Sequence, residues 1–198
     1  MRSSSTVLAA AAFVVASLAP SLASAPIPIA GSKLKLGMRF DPRIRLEVKG
    51  ISTDGTNGTS GDAYLHGASI RIYSLAGDVF DNTYEMPASP QWHYYGLIGQ
   101  NRGYDYKDPS HVNGKIGILR IRNNKMTRLI AGNLDFSLNT NPNPVGIVLR
   151  IGDRKYCMSF GGAAWKFIPG QRYLALRAPA PGSCPFSPSG AFIDPPSL

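Results

Sequence analysis

The chain is poor in cysteine, in glutamate and in recognisable catalytic sequence. Cys157 and Cys184 are the only cysteines in 198 residues, too few to cage a metal with thiolates alone. Glu47 and Glu85 are the only glutamates among 12 acidic residues. A glycosidase needs two carboxylates flanking the scissile bond, yet both glutamates fall in segments that read as strands, so strand-surface acids are expected. No G-x-S-x-G elbow, Walker loop or H-E-x-x-H occurs, so the signatures of serine hydrolases, P-loop enzymes and zinc peptidases are missing. The three histidines, His66, His93 and His111, stand at no metal-ligand spacing. The expectation is a non-catalytic protein with no metal and no cofactor.

Long apolar runs are missing too. The longest, "VLAAAAFVVASLA" at 7–19, falls short of the roughly 20 residues that a spanning helix needs. It follows Arg2, stops before Pro20 and leads into the small residues of Ser21-Leu22-Ala23 and Ala23-Ser24-Ala25, the pattern of a signal peptide. Residues 1–23 are the expected signal, because a cut after Ala25 would leave Pro26 at the new terminus. An uncleaved anchor is the alternative. The mature chain is therefore expected outside the cytoplasm, periplasmic or extracellular, without a transmembrane span.

Export bears on the cysteines, since an oxidising compartment lets two thiols pair and an even count leaves none over. Cys157 and Cys184 lie 27 positions apart, and closing such a loop stabilises a fold by about 3–4 kcal/mol in the chain-entropy account. A disulfide is expected; two reduced, buried thiols are the alternative.

Charge is present mostly with one sign. Lys and Arg number 21 against 12 acids, a formal net charge of +9, and such a surplus favours polyanions. An exported protein seldom meets nucleic acid, so an anionic polysaccharide or another cell-surface component is the expected partner. Solubility alone is the competing explanation.

Apolar and polar residues alternate with a period of two along much of the chain, as half-buried strands require. After an extended leader at 24–33, Ile44, Leu46 and Val48 point one way and Arg43, Arg45, Glu47 and Lys49 the other. The stretch "ISTDGTNGTSGD" (51–62) reads as a mobile loop. Strands follow at 66–74 and 79–86, with irregular, aromatic-rich chain around one short strand at 87–109. A hairpin at 114–132 turns at Asn123-Asn124, another at 145–160 turns at Gly152-Asp153, and 171–178 is a last strand. No convincing helix or repeat stands out. The expectation is one all-β domain at 34–185, an antiparallel β-sandwich with a β-barrel as the alternative, before a disordered tail at 186–198.

Two groups of residues are candidates for binding. Trp92, Tyr94, Tyr95, Tyr104 and Tyr106 cluster near loops; such rings stack on sugars when exposed and fill or cover a core when not. Arg120 and Arg122 share one side of a strand with Arg128 across the hairpin, and Arg150 and Arg154 lie on the next hairpin. If those hairpins are neighbours, a cationic stripe forms, either a solvated outer face or an anion site. Asp105 and Asp108 in "GYDYKD" (103–108) lack an EF-hand pattern, and a turn capped by Asp108 is expected.

Taken together, "GYDYKD…GKIGILRIR" (103–122), "IGDRKYCMSFGG" (151–162) and "APAPGSCP" (178–185) resemble an uncharacterised family of secreted bacterial domains. The family recurs in environmental Gram-negative bacteria, alone or at the ends of larger exported proteins. Gly103, Tyr104, Tyr106 and Asp108 fit its first element, Tyr156, Cys157, Phe160 and Gly161 its Tyr-Cys-x-x-Phe-Gly strand, and Cys184 its late Pro/Ala-rich segment. Gly114-Lys115 stands where the pattern has Gly-Pro. The resemblance implies an exported all-β domain with a Cys157–Cys184 bridge, and it implies no activity. The expected role is a non-catalytic envelope or extracellular interaction module; a polysaccharide hydrolase and a structural module without ligand are the alternatives.

Overall fold

The computed structural model describes residues 25–38, 40–53, 58–97, 100, 102–162 and 164–184. The expected signal at 1–23 and the tail at 186–198 lie outside them. In chain order the strands are β1 (Ile27–Pro28), β2 (Gly31–Gly37), β3 (Arg43–Lys49), β4 (Ala68–Ser74), β5 (Phe80–Met86), β6 (Trp92–Tyr94), β7 (Gly103–Lys107), β8 (Ile116–Arg122), β9 (Met126–Ala131), β10 (Val145–Ile151), β11 (Arg154–Phe160), β12 (Trp165–Ile168) and β13 (Arg172–Ala178). One short helix, α1 (Ala63–His66), precedes β4.

The strands form two sheets, ordered β1-β11-β10-β4-β5 and β12-β13-β2-β3-β9-β8-β7-β6. Neither closes on itself, so the fold is an all-β sandwich and not a barrel. Inner faces of both sheets share one core: Leu34, Ile44 and Leu46 come from the eight-stranded sheet, Ile70, Ile147 and Leu149 from the five-stranded one. The expected alternation explains this directly. Ile44, Leu46 and Val48 are buried while Arg43, Arg45 and Lys49 are exposed, and each buried aliphatic side chain contributes about 1.5–3 kcal/mol. The β8–β9 turn holds Asn124 at a φ of 53°, where asparagine is tolerated.

Cys157 and Cys184 form a disulfide with their Cα atoms 5.6 Å apart. Tyr156, Met158 and Phe160 on β11 point into the main core, so Cys157 points away from it, into a small cluster with Val148 and Tyr73.

Four expectations need correction. The leader is not a separate extension: Ile27 and Pro28 pair in parallel with β11, the Ile29 N–H donates to the Cys157 carbonyl at 2.9 Å, and Gly31 already begins β2. Of the expected loop at 51–62, residues 54–57 lie outside the described residues; at its end the Asp62 carboxylate accepts from Gly58 N–H (2.8 Å), Tyr64 N–H (2.9 Å) and the Tyr94 hydroxyl (2.7 Å). The bond from Tyr64 N–H caps α1, a helix that no apolar periodicity announces because it spans one turn. Finally, β12 pairs with β13 as an edge strand, and the segment 87–109 holds two strands, β6 and β7.

Asp78 anchors the loop that crosses to β10. Its carboxylate accepts from the Ser137 hydroxyl (2.7 Å), from Thr140 N–H (3.1 Å) and from Asn139 N–H. Hydrogen bonds from the Thr140 and Ser137 hydroxyls hold its pKa down at about 2. A depressed carboxylate stabilises the fold above its unfolded pKa near 3.8, and that stabilisation disappears as pH falls through about 2. The protection of the Asn139 and Thr140 amides, relative to their intrinsic exchange rates, is therefore expected to fall between pH values of about 4 and 2 in the wild type, and to be low throughout in Asp78→Asn. Equal exchange in both proteins at every pH would refute the anchor.

Candidate functional site

Period-two alternation in β6 and β7 decides the fate of the aromatic cluster. Trp92, Tyr104 and Tyr106 all point inward and are fully buried. Trp92 lies 5.0 Å from the Tyr106 ring and meets Tyr104 edge-on at 6.3 Å. Burial, and then Asp108, push the Tyr106 phenol up to about 12. Of the two readings open for these three rings, core filling is the one their burial matches, and they offer no stacking platform. Tyr94 is half-buried against Tyr64, 5.1 Å away. Only Tyr95 of the five is exposed, at 45%, and the Arg122 guanidinium lies over its ring.

The expected stripe of Arg120, Arg122 and Arg150 does not form, because β9 and β10 belong to different sheets. Arg150 sits on the five-stranded sheet, donating to Glu85 at 3.1 Å, to Ser69 at 3.2 Å and to the Gly152 carbonyl at 3.1 Å. Burial raises the Glu85 pKa against the opposing pull of Arg150. Arg120 and Arg122 stay together on β8, both paired with Asp105, at 3.0 and 3.8 Å.

The acids a hydrolase would use are held by separate partners. Glu85 is engaged by Arg150 and Asp105 by Arg120 and Arg122. Buried Asp108 accepts from Val112 N–H at 3.0 Å and Asn113 N–H at 2.7 Å. Among the described residues no three His, Cys, Asp or Glu side chains converge.

What the sheet order does assemble is a basic outer face on the eight-stranded sheet. Its acids are Glu47 and Asp105 alone within those strands. One row of cross-strand neighbours runs Lys35, Arg45, Ile130, Ile118, Lys107 across β2, β3, β9, β8 and β7. The next runs Lys33, Glu47, Arg128, Arg120, Asp105 across the same strands. In that second row the acids are matched, with Glu47 at 3.4 Å from Arg128. In the first row they are not: among the described residues Lys35, Arg45 and Lys107 have no carboxylate within salt-bridge distance.

Two adjoining open hollows on this face, taken together as the two arms of a groove, share Arg43 and Ile130 in their lining. One arm, of about 500 Å³, is lined by Asp41, Arg43, His111, Gly117, Ile118 and Ile130 among others. The other, of about 370 Å³, is lined by Lys35, Gly37, Phe40, Arg43, Arg45 and Ile130 among others. Arg43 is fixed by Asp41 at 2.6 Å, whereas Lys35 and Arg45 stand exposed beside it. The register shift in β8 between Ile116 and Ile118 leaves Gly117 as an extra residue at the groove, the arrangement of a bulge.

Sequence reasoning has the phase of Arg43 and Arg45 and misses the rest: it places Lys33 in the leader, whereas Lys33 and Lys35 both lie on β2, with Lys35 exposed. Pairing of β3 with β9 is what carries them to β8. No known protein family, curated protein or solved structure matches the chain.

Proposed function

We propose that the protein is an exported, non-catalytic envelope or extracellular module of bacterial type that holds an anionic polysaccharide on the outer face of its eight-stranded sheet. The observation that carries this reading is a pair of cations, Lys35 and Arg45, that line one arm of the groove and have no carboxylate partner among the described residues. Arg43 beside them is paired with Asp41, and Arg71 and Arg150 of the other sheet are paired with Asp81 and Glu85. A rigid sheet holds such cations in place, so a polymer meets an ordered array and not a flexible tail. The apolar segment at 7–19 and the disulfide support the export part.

Binding through exposed charges is screened within about 10 Å at 0.1 M salt. Affinity for polygalacturonate, measured by titration calorimetry, is expected to fall steeply as salt rises. Lys35→Glu/Arg45→Glu is expected to weaken binding about tenfold or more, since two attractions become repulsions worth about 0.2–1 kcal/mol each. Salt-independent affinity, or equal binding to neutral dextran, would overturn the proposal.

A further inference from the structure

We infer, building on that reading, that the groove selects a carboxylated sugar unit: its carboxylate meets Arg45 and Lys35, and the apolar side of its ring lies over Ile130 and Ile118. Three observations lead here. First, the two isoleucines are direct cross-strand neighbours between Arg45 and Lys107 in one row, and Ile118 is 37% exposed. A surface that only attracted small inorganic anions would gain nothing from them.

Second, cations flank the aliphatic pair on both sides. Lys35 and Arg45 precede Ile130 and Ile118 along the row, and Lys107 follows them. With neighbouring strands about 4.8 Å apart, Arg45 and Lys107 are separated by roughly 14 Å at the backbone. A ligand that satisfies both ends must be a chain of linked units, anionic at intervals and apolar between. A guanidinium takes a carboxylate in a two-pronged contact, which suits a sugar acid.

Third, the depth of the groove comes from missing side chains. Gly37 on β2 lies in the arm with Lys35 and Arg45, and a Cβ built on it meets nothing within 4 Å. At Gly117, in the other arm, a Cβ would come to 3.4 Å from the His111 ring. Gly37 has no positive φ that would demand glycine. Its small size keeps space open without serving the backbone.

That last point supplies the test. Gly37→Leu adds side-chain volume to the arm at a position where a Cβ meets nothing within 4 Å, and Ile130→Thr removes apolar floor while keeping a strand-favouring residue. Both variants are to be compared with wild type by melting temperature, then titrated with oligogalacturonate, inorganic polyphosphate and polyglutamate. The expected result is about a tenfold loss of oligogalacturonate affinity in each variant, with polyphosphate binding changed by less than about twofold. If oligogalacturonate binds in a salt-dependent way and neither variant weakens it, the groove inference fails and the basic-face reading stands. If all three polymers weaken equally, selection of a sugar ring is refuted. Should polyglutamate bind as tightly as oligogalacturonate and be lost in the same variants, the occupant is an acidic peptide and the assignment is wrong. Should wild type bind none of the three, the underlying reading fails with it.

Discussion

Replacing Cys157 and Cys184 together by alanine is expected to lower the stability of the oxidised protein by about 3–4 kcal/mol. The bridge closes a separation of 27 residues, and that loop contains β12 and β13. Without the bond the unfolded chain regains the freedom of the whole loop, whereas the folded chain keeps its sheet pairing. The bridge also brings Cys184 against Val148 and Tyr73, on the side of β11 that faces away from the main core. The same strand receives β1 at Cys157. Losing the bond thus loosens the end of the described chain at a place where its beginning is also attached. For a domain of this size the loss corresponds to a fall in melting temperature of roughly 6–16 °C. Calorimetry of the variant, and of wild type under reducing conditions, should show comparable shifts. A variant melting within about 2 °C of wild type would refute the role assigned to the bridge.

Trp92→Ala is expected to cost about 3–5 kcal/mol. Its indole fills the end of the sandwich beneath β6 and β7, against Tyr104 and Tyr106, and its Nε1–H donates to the Pro87 carbonyl at 3.0 Å. Truncation leaves a cavity between rings that neighbouring strands hold apart, together with an unsatisfied carbonyl. Trp92→Phe keeps a ring in place and should cost less. Tyr95→Ala, by contrast, removes an exposed ring and the support under Arg122, and should leave stability within about 0.5 kcal/mol. Denaturant midpoints for the three variants decide the matter. If Trp92→Ala left stability intact and abolished polysaccharide binding, the indole would belong to a binding surface and not to the core.

The aromatic segment shows why composition misleads about sites. A run rich in Trp and Tyr near loops reads equally as a sugar platform or as core filling, because ring chemistry is the same in both. Strand phase separates the two: Trp92, Tyr104 and Tyr106 share the inward phase of β6 and β7, while His93 and Asp105 take the outward one. The short edge strand β12 went unseen for a related reason. Its "WKFI" sequence carries no clean alternation, and all four residues are exposed or half-buried.

The chain by itself determined where most strands lie, which face of each is greasy, where the Asn and Gly turns fall, and that two thiols were available to pair. Those features are local, since a pleated strand turns its side chains alternately up and down and a tight turn needs residues that tolerate positive φ. Only the tertiary structure decided that Arg150 leaves the other arginines for the opposite sheet, and that Lys35 and Arg45 come into line with Ile130, Ile118 and Lys107. The order of strands in a sheet follows from how two whole layers bury each other, and contacts between residues as far apart in the chain as Gly31 and Ala178 leave no mark in any short stretch of sequence.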